Sequence, residues 1–405
     1  MEKQEFIDLL KQGVDSWNFW REKNLDIEVD LSQLSFSKDF TGINFSGVNL
    51  SGSDLSELDL SRANFNGANL SGANLSEAQL IEADLSKANL SKANLSEAYL
   101  TDANLCGANL VGANLKEAHL VNANFRDADL SGANLSEAYL LGTDLRKAYL
   151  TDANLRSAEI IEANLSGADL SGAYLNGANL SGTDFSRANL HKADLGYNGY
   201  DFEGINTSLI ESNLSGANLH GANLTGANLS SAKFYGANLI RANLSKTQAA
   251  NAQFAFAKFT GVCIENWQCS KATNFNGVIC EFVYSDSKRL QRYPVGRRFT
   301  PGEFTKFFQK TFETIDIVIC NAIDYEAFVC SFKALKAEHG DAQLDIQSIE
   351  EKGEDIYVVK VSMSPDVDRE EIHAEFMKVH ELIREKKKKK YRTEIRVKET
   401  QIVQY

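Results

Sequence analysis

Residues that could do chemistry are sparse in this chain of 405 residues, and their spacing is unusual. His119 stands midway between Tyr99 and Tyr139, 20 residues from each. Glu57, Glu77, Glu97, Glu117 and Glu137 repeat at the same interval. An imidazole can serve as a base or a metal ligand, but no second His, Cys or carboxylate pair completes a site around His119. A surface contact is therefore the expectation for it. No HExxH, GxSxG or P-loop motif occurs. The six cysteines (106, 263, 269, 280, 320 and 330) include no CxxC and are too few for a disulfide scaffold. That usage fits a reducing compartment, and Cys320 and Cys330, in apolar stretches read as helical, are expected in a core. The sequence thus predicts no catalytic site, no metal, no cofactor and no small-molecule substrate in the long middle of the chain.

The 20-residue interval is a multiple of a shorter one. From Phe40 to Leu195 a Leu, Phe or Ile occupies every fifth position, making 32 consecutive centres. Two residues before each centre comes Ala or another small or apolar residue, with Asn or Asp usually between, as in Ala63-Asn64-Phe65. Residues two apart share one face of a strand, so each centre and the small residue before it point inward together. The remaining residues must turn the chain to the next inward pair. A period of five fits neither a helix nor a plain alternating strand, so short strands joined by turns are required. The Phe centres Phe45, Phe65, Phe125 and Phe185 are separated by multiples of 20, as are the glutamates. Both patterns predict four repeats per coil, a square tube whose coils stack at about 4.8 Å. A further 12 centres run from Leu209 to Ile264, giving 11 coils and a rod on the order of 50 Å long at strand spacing.

These A-(N/D)-L-x-x motifs resemble the pentapeptide-repeat family over about residues 31–283. The resemblance implies a mainly β fold, a right-handed quadrilateral β-helix, and a family whose members include gyrase-binding DNA mimics and cyanobacterial regulators. Val14–Arg21 resembles the lead-in of many cyanobacterial members. Residues 1–30 are expected to form an N-terminal cap, with a helix over 2–20 that sets Phe6, Leu10, Val14 and Trp17 on one side and uses Trp17 and Trp20 to seal the first coil. Residues 284–298 are basic and read as a linker. Residues 299–405 read as a small α+β domain, helical over 301–318 and 322–338, with strands at 344–349 and 356–363 and a long charged helix from Asp368 to Lys390. The stretches FTPGEFTKFFQK, IDYEAF and DIQSIEEK resemble a C-terminal domain of cyanobacterial pentapeptide proteins.

The tube is not uniform. After Leu195 the phase breaks, and nine extra residues precede the next centre, Leu209. This insertion, 196–208, is expected as a corner loop carrying Tyr197, Tyr200 and Phe202, which either meet a partner or tuck back onto the rod. One face also departs from the Ser, Asn, Asp and Gly of the other three. Its outward residues pair a Tyr99-His119-Tyr139 row with an apolar row of Ile81, Thr101, Val121, Leu141 and Ile161, and the glutamates line the preceding corner. Exposed apolar surface of this extent marks an interface. The glutamates oppose folding, since like charges about 4.8 Å apart repel by about 1 kcal/mol in water.

The formal charge is −13, of which −9 falls in residues 41–200, so nucleic acid is an unfavourable ligand for that segment. The acidic N-terminus is unlike a signal peptide, and no apolar run reaches a membrane span, so a cytoplasmic protein is expected. The reading favoured is a scaffold or regulator with a protein partner of unknown identity, or a second copy of itself, on the aromatic face. A DNA mimic acting on a type II topoisomerase and an enzyme confined to 299–405 are the alternatives. Self-covering of the face by a terminal domain remains open, and so does a contact of Lys386–Lys390 with an acidic surface.

Overall fold

The computed structural model describes residues 2–196, 206–270, 272–311, 314–320, 322–338, 344–353, 356–362, 372 and 374–383. They fall into two compact units, Met1–Thr305 and Lys306–Tyr405.

The first unit opens with two helices, α1 (Lys3–Lys11) and α2 (Val14–Lys23), where the sequence predicts one. Gly13 separates them with φ 106°, a conformation open to a residue without Cβ. Phe6, Leu10 and Trp17 are buried. Trp17 Nε1 donates to the Asn44 carbonyl at 2.7 Å and Arg21 Nη2 to the Ser46 carbonyl at 2.6 Å. Asn18 both donates to the Gly42 carbonyl and accepts from Asn44 N–H. Helix α2 therefore occupies polar groups on the open edge of the first coils, where an unpaired strand would otherwise invite aggregation. The Trp17 ring lies 5.6 Å from Phe45, and Trp20 packs on Trp17 and Phe6.

The repeats form a β-helix-type solenoid. Parallel bridges join each residue before a centre to its equivalent 20 residues on: Asn44 to Asn64, Asn49 to Asn69, Asp54 to Asn74 and Asp59 to Gln79. Four ladders therefore run along the coil, as the spacing of Phe and Glu predicts. Centres from Phe40 to Phe259 and the alanines before them are buried. After each centre comes a two-residue turn, closed by bonds such as Ala63 N–H to the Leu60 carbonyl at 3.0 Å. Its second residue has φ near +60°, whether Gly67 or Glu57.

The Asn preference has a plain cause. Asn69 Nδ2 donates to Asn49 Oδ1 at 3.0 Å, Asn89 to Asn69 at 3.1 Å and Asn109 to Asn89 at 3.2 Å. The same Oδ1 accepts the N–H two residues on, as Asn69 does from Ser71. Each amide thus links two coils and fixes its own turn.

The nine-residue insertion leaves the ladders in register: Asn179 bridges to Ser208 and Asp184 to Asn213. Its base is held by Asn176 Nδ2 donating to the Gly196 carbonyl and Thr207 Oγ1 to the Leu175 carbonyl. Tyr197, Tyr200 and Phe202 lie outside the described residues. Near the far end the bridge interval becomes 21, from Gln253 to Asn274 and from Lys258 to Ile279. Short strands β1 (Gln248–Ala249) and β3 (Gln268–Cys269) pair in parallel, as do β2 (Val262–Cys263) and β4 (Val283–Tyr284). Strand β5 (Arg292–Tyr293) then folds back antiparallel on β4. The segment expected as a linker over 284–298 therefore contributes a hairpin to this end. Phe254, Phe259, Trp267, Phe275 and Phe304 close the axis through ring contacts of 5.2–5.9 Å.

Helix α3 (Glu303–Thr311) spans the division between the units. The second unit contains β6 (Thr314–Cys320), α4 (Ala322–Glu338), β7 (Asp345–Gly353) and β8 (Ile356–Ser362), with residues 374–383 helical. The sheet order is β6-β8-β7, antiparallel throughout. Phe328, Phe332, Leu335, Val359, Val361 and Phe376 share its core. Two expectations are corrected here. The helix expected over 301–318 ends at Thr311, because Thr314–Cys320, alternating and β-branched, prefers a strand. Cys330, expected in a core, is exposed. Among the described residues no helix is long and apolar enough to cross a membrane.

Candidate interaction face

One ladder abandons the Asn rule. It runs Asp59, Gln79, Tyr99, His119, Tyr139, Glu159, Asn179 and Ser208. Coil stacking brings the Tyr99 and His119 ring centroids to 4.7 Å with planes 3° apart, and His119 and Tyr139 to 5.0 Å and 12°. Stacked aromatic pairs contribute about 0.5–1.5 kcal/mol each, which offsets part of what the missing amide ladder would supply. Tyr99 is 44% exposed and Tyr139 45%, so the stack faces outward and turns its edges to solvent.

Beside it runs the column Ile81, Thr101, Val121, Leu141 and Ile161, joined coil to coil by bonds such as Glu82 N–H to the Thr101 carbonyl and Asn122 N–H to the Leu141 carbonyl. Leu141 is exposed, whereas Ile81, Thr101, Val121 and Ile161 are half-buried. The expected apolar row is thus only partly open to solvent. The open apolar surface centres on Tyr99, Tyr139 and Leu141.

Glu57, Glu77, Glu97, Glu117 and Glu137 occupy the left-handed turn position of the corner before this strip, with φ of 57–61°. Lys116 Nζ reaches Glu117 at 2.8 Å and Glu137 at 3.5 Å, and these carboxylates hold its ammonium pKa above the ordinary lysine value. The insertion leaves this same corner, departing after Leu195 and rejoining at Ser208 on the aromatic ladder. The features predicted separately from sequence, a Glu row, an aromatic face and a loop, therefore have their bases along one edge of the solenoid.

Sequence reading missed further acids across the strip, on a corner where Asn122, Gly142 and Gly182 interrupt them. Glu82, Asp102, Glu162 and Glu211 hold the left-handed position on the corner after the strip, and all four are exposed. The signal was available in the same 20-residue bookkeeping, one position beyond the apolar column. Arg62 precedes them, pairing with Glu82 at 3.0 Å. The left-handed cations lie instead chiefly on the two other corners: Lys87, Lys147 and Arg187 on one, Lys92, Lys192 and Arg241 on the other.

Nothing here assembles a reactive centre. Among the described residues no group of three or more His, Cys, Asp or Glu could hold a metal. Burial pushes the Cys280 thiol up to about 12 and the Cys269 thiol up as well, which keeps both protonated and unreactive. The Glu303 carboxyl is held down to about 2 by hydrogen bonds from Arg297 first and Thr300 next, and serves the start of α3.

The family model for pentapeptide repeats matches in eight copies, over residues 39–76, 59–96, 98–136, 128–167, 163–196, 205–239 and 227–266. Among solved structures, HetL, a pentapeptide repeat protein involved in heterocyst differentiation regulation from the cyanobacterium Nostoc sp. strain PCC 7120, is 32% identical over 58% of this chain and 90% of its own, with a TM-score of 0.20. AT2G44920, a pentapeptide repeat protein from the Arabidopsis thaliana thylakoid lumen, is 36% identical over 26% of this chain and 67% of its own, with a TM-score of 0.16. QnrB1, a plasmid-mediated fluoroquinolone resistance protein, is 17% identical over 65% of this chain and 92% of its own, with a TM-score of 0.22. No curated protein matches.

Proposed function

The chain belongs to the pentapeptide-repeat family, and from that premise we propose that it is a non-enzymatic interaction scaffold, a right-handed solenoid of square section that holds a protein partner along its aromatic strip. The observation that carries this reading is the stacked Tyr99, His119 and Tyr139 on a ladder where the fold elsewhere favours Asn. Asn at this position links coils and fixes its own turn, which the Tyr and His side chains do not do, so the exception points to a use outside the fold. Aromatic residues that are rigid and half-exposed are the kind that anchor interfaces. The base of the 196–208 insertion adjoins the same strip, and the loop with Tyr197, Tyr200 and Phe202 belongs to the proposed contact.

A DNA mimic needs a dense acidic surface, and here two corners carry glycines with Lys87, Lys147 and Arg187 or Lys92 and Lys192 among them, and Lys116 sits among the glutamates. That distribution disfavours the topoisomerase reading. The test is affinity capture with the full chain against the double variant Tyr139→Ala, Leu141→Ser. The variant is expected to melt within a few degrees of the parent and to lose the captured partner. Identical capture by both chains would remove the strip from the function.

A further inference from the structure

The corner before the aromatic strip is acidic in five successive coils at the turn position, from Glu57 to Glu137, and the corner after it carries Glu82, Asp102 and Glu162, interrupted by Asn122 and Gly142. The fold does not ask for this. A left-handed φ suits glycine and opposes any L side chain by about 1 kcal/mol or more. On the two far corners glycine takes that place often, as at Gly47, Gly67, Gly107, Gly72, Gly112 and Gly132. On the Glu corner five successive coils refuse it. Successive glutamates also stand one coil apart, where like charges repel by about 1 kcal/mol in water, a cost that Lys116 relieves at Glu117 and Glu137. Two independent penalties are thus accepted on the corner beside the exposed aromatic stack.

Resting on the scaffold reading, we propose that the partner element seated on this strip is a cationic amphipathic segment, with its apolar side on Tyr99, Tyr139 and Leu141 and Lys or Arg side chains reaching the Glu column on one side and Asp102 and Glu162 on the other. Charge complementarity selects this occupant. Nucleic acid would meet carboxylates on both sides, and a second copy placed symmetrically would set acid against acid. The Glu column spans four coil steps, about 19 Å, which matches a helix of about 13 residues. A helix carries an apolar stripe with basic residues on both flanks when Leu recurs at intervals of three and four.

The experiment measures fluorescence anisotropy of a synthetic 14-residue helix-forming peptide with a Leu stripe flanked by Lys, added to the full chain at low and at physiological salt. A peptide with the same stripe flanked by Glu serves as its counterpart. The Lys peptide is expected to bind and the Glu peptide to fail. Glu77→Gln, Glu97→Gln, Glu137→Gln together are expected to weaken binding about tenfold and to flatten its salt dependence. The same charge change on the opposite side, Asp129→Asn, Asp152→Asn, Asp169→Asn, is expected to alter it less than twofold. Equal loss in both triple variants would mean attraction to net charge alone and would overturn the proposal. So would peptide binding that appears only after Lys386–Lys390 are replaced by Gln, because the chain's own tail would then be the occupant. If the glutamine variant keeps its captured partner while Tyr139→Ala, Leu141→Ser loses it, the cationic segment is wrong and the scaffold stands. If neither variant changes capture, both readings fall.

Discussion

The ladder Asn49-Asn69-Asn89-Asn109 and the ladder Tyr99-His119-Tyr139 occupy different faces of the same solenoid, over coils with the same buried Leu and Ala. On the first, the side chains have work inside the fold: Asn69 and Asn89 each donate to one coil, accept from the next and fix a turn. On the second, the side chains stack on one another and present their edges to solvent. The difference separates what the fold needs from what it tolerates. A repeat protein makes that separation unusually visible, because every position has many equivalents in the same molecule.

The comparison can be broken at the axis. Leu90→Ala and Leu120→Ala remove equivalent buried centres beneath the two ladders, and each is expected to destabilise by about 2–5 kcal/mol. A much smaller loss at Leu120 by denaturant midpoint would mean that the aromatic face is already loosely packed. At the ladders themselves, Asn89→Ala breaks three hydrogen bonds and is expected to lower stability by about 1–3 kcal/mol. His119→Ala removes two ring contacts and is expected to lose about 1 kcal/mol. A reversed order in the same assay would make the aromatic stack the structural element. Glu97→Gly relieves a left-handed φ of 58° and is expected to raise stability by about 1 kcal/mol while weakening partner binding.

The smallest effect expected is that of pH. Hydrogen bonds from Ser56 lower the carboxyl pKa of Asp54, and those from Ser61 lower that of Asp59. A carboxylate with a depressed folded pKa stabilises above its unfolded value, about 3.9, and loses that contribution as pH falls through the folded value. The midpoint should therefore stay level from pH 7 to about 5 and decline below about 4. A midpoint that rose on acidification would show that the glutamate repulsion outweighs these bonds.

Much of this was legible in the residues alone. The five-residue period announces inward pairs, the 20-residue recurrence of Phe and Glu sets four ladders, and the nine extra residues after Leu195 read as an insertion with the coil continuing. Those features are local and repeated, so sequence spacing carries them. Less legible were the ends. Gly13 splits the expected helix, and 284–298 contributes β5 where a linker is expected. At Thr314–Cys320 an apolar run was ambiguous between helix and strand until its pairing with β8 decided it.

By itself the sequence determined the solenoid, its coil length and the face that differs, because a period repeated dozens of times leaves one way to bury the centres. Tertiary structure alone decided how much of that face is open. Exposure differs among positions that the repeat makes equivalent, and spacing does not encode it: Ile81, Val121 and Ile161 are half-buried while Tyr99, Tyr139 and Leu141 are exposed. Tertiary structure also decided that the turn position is left-handed, which makes glutamate there unfavourable for the fold.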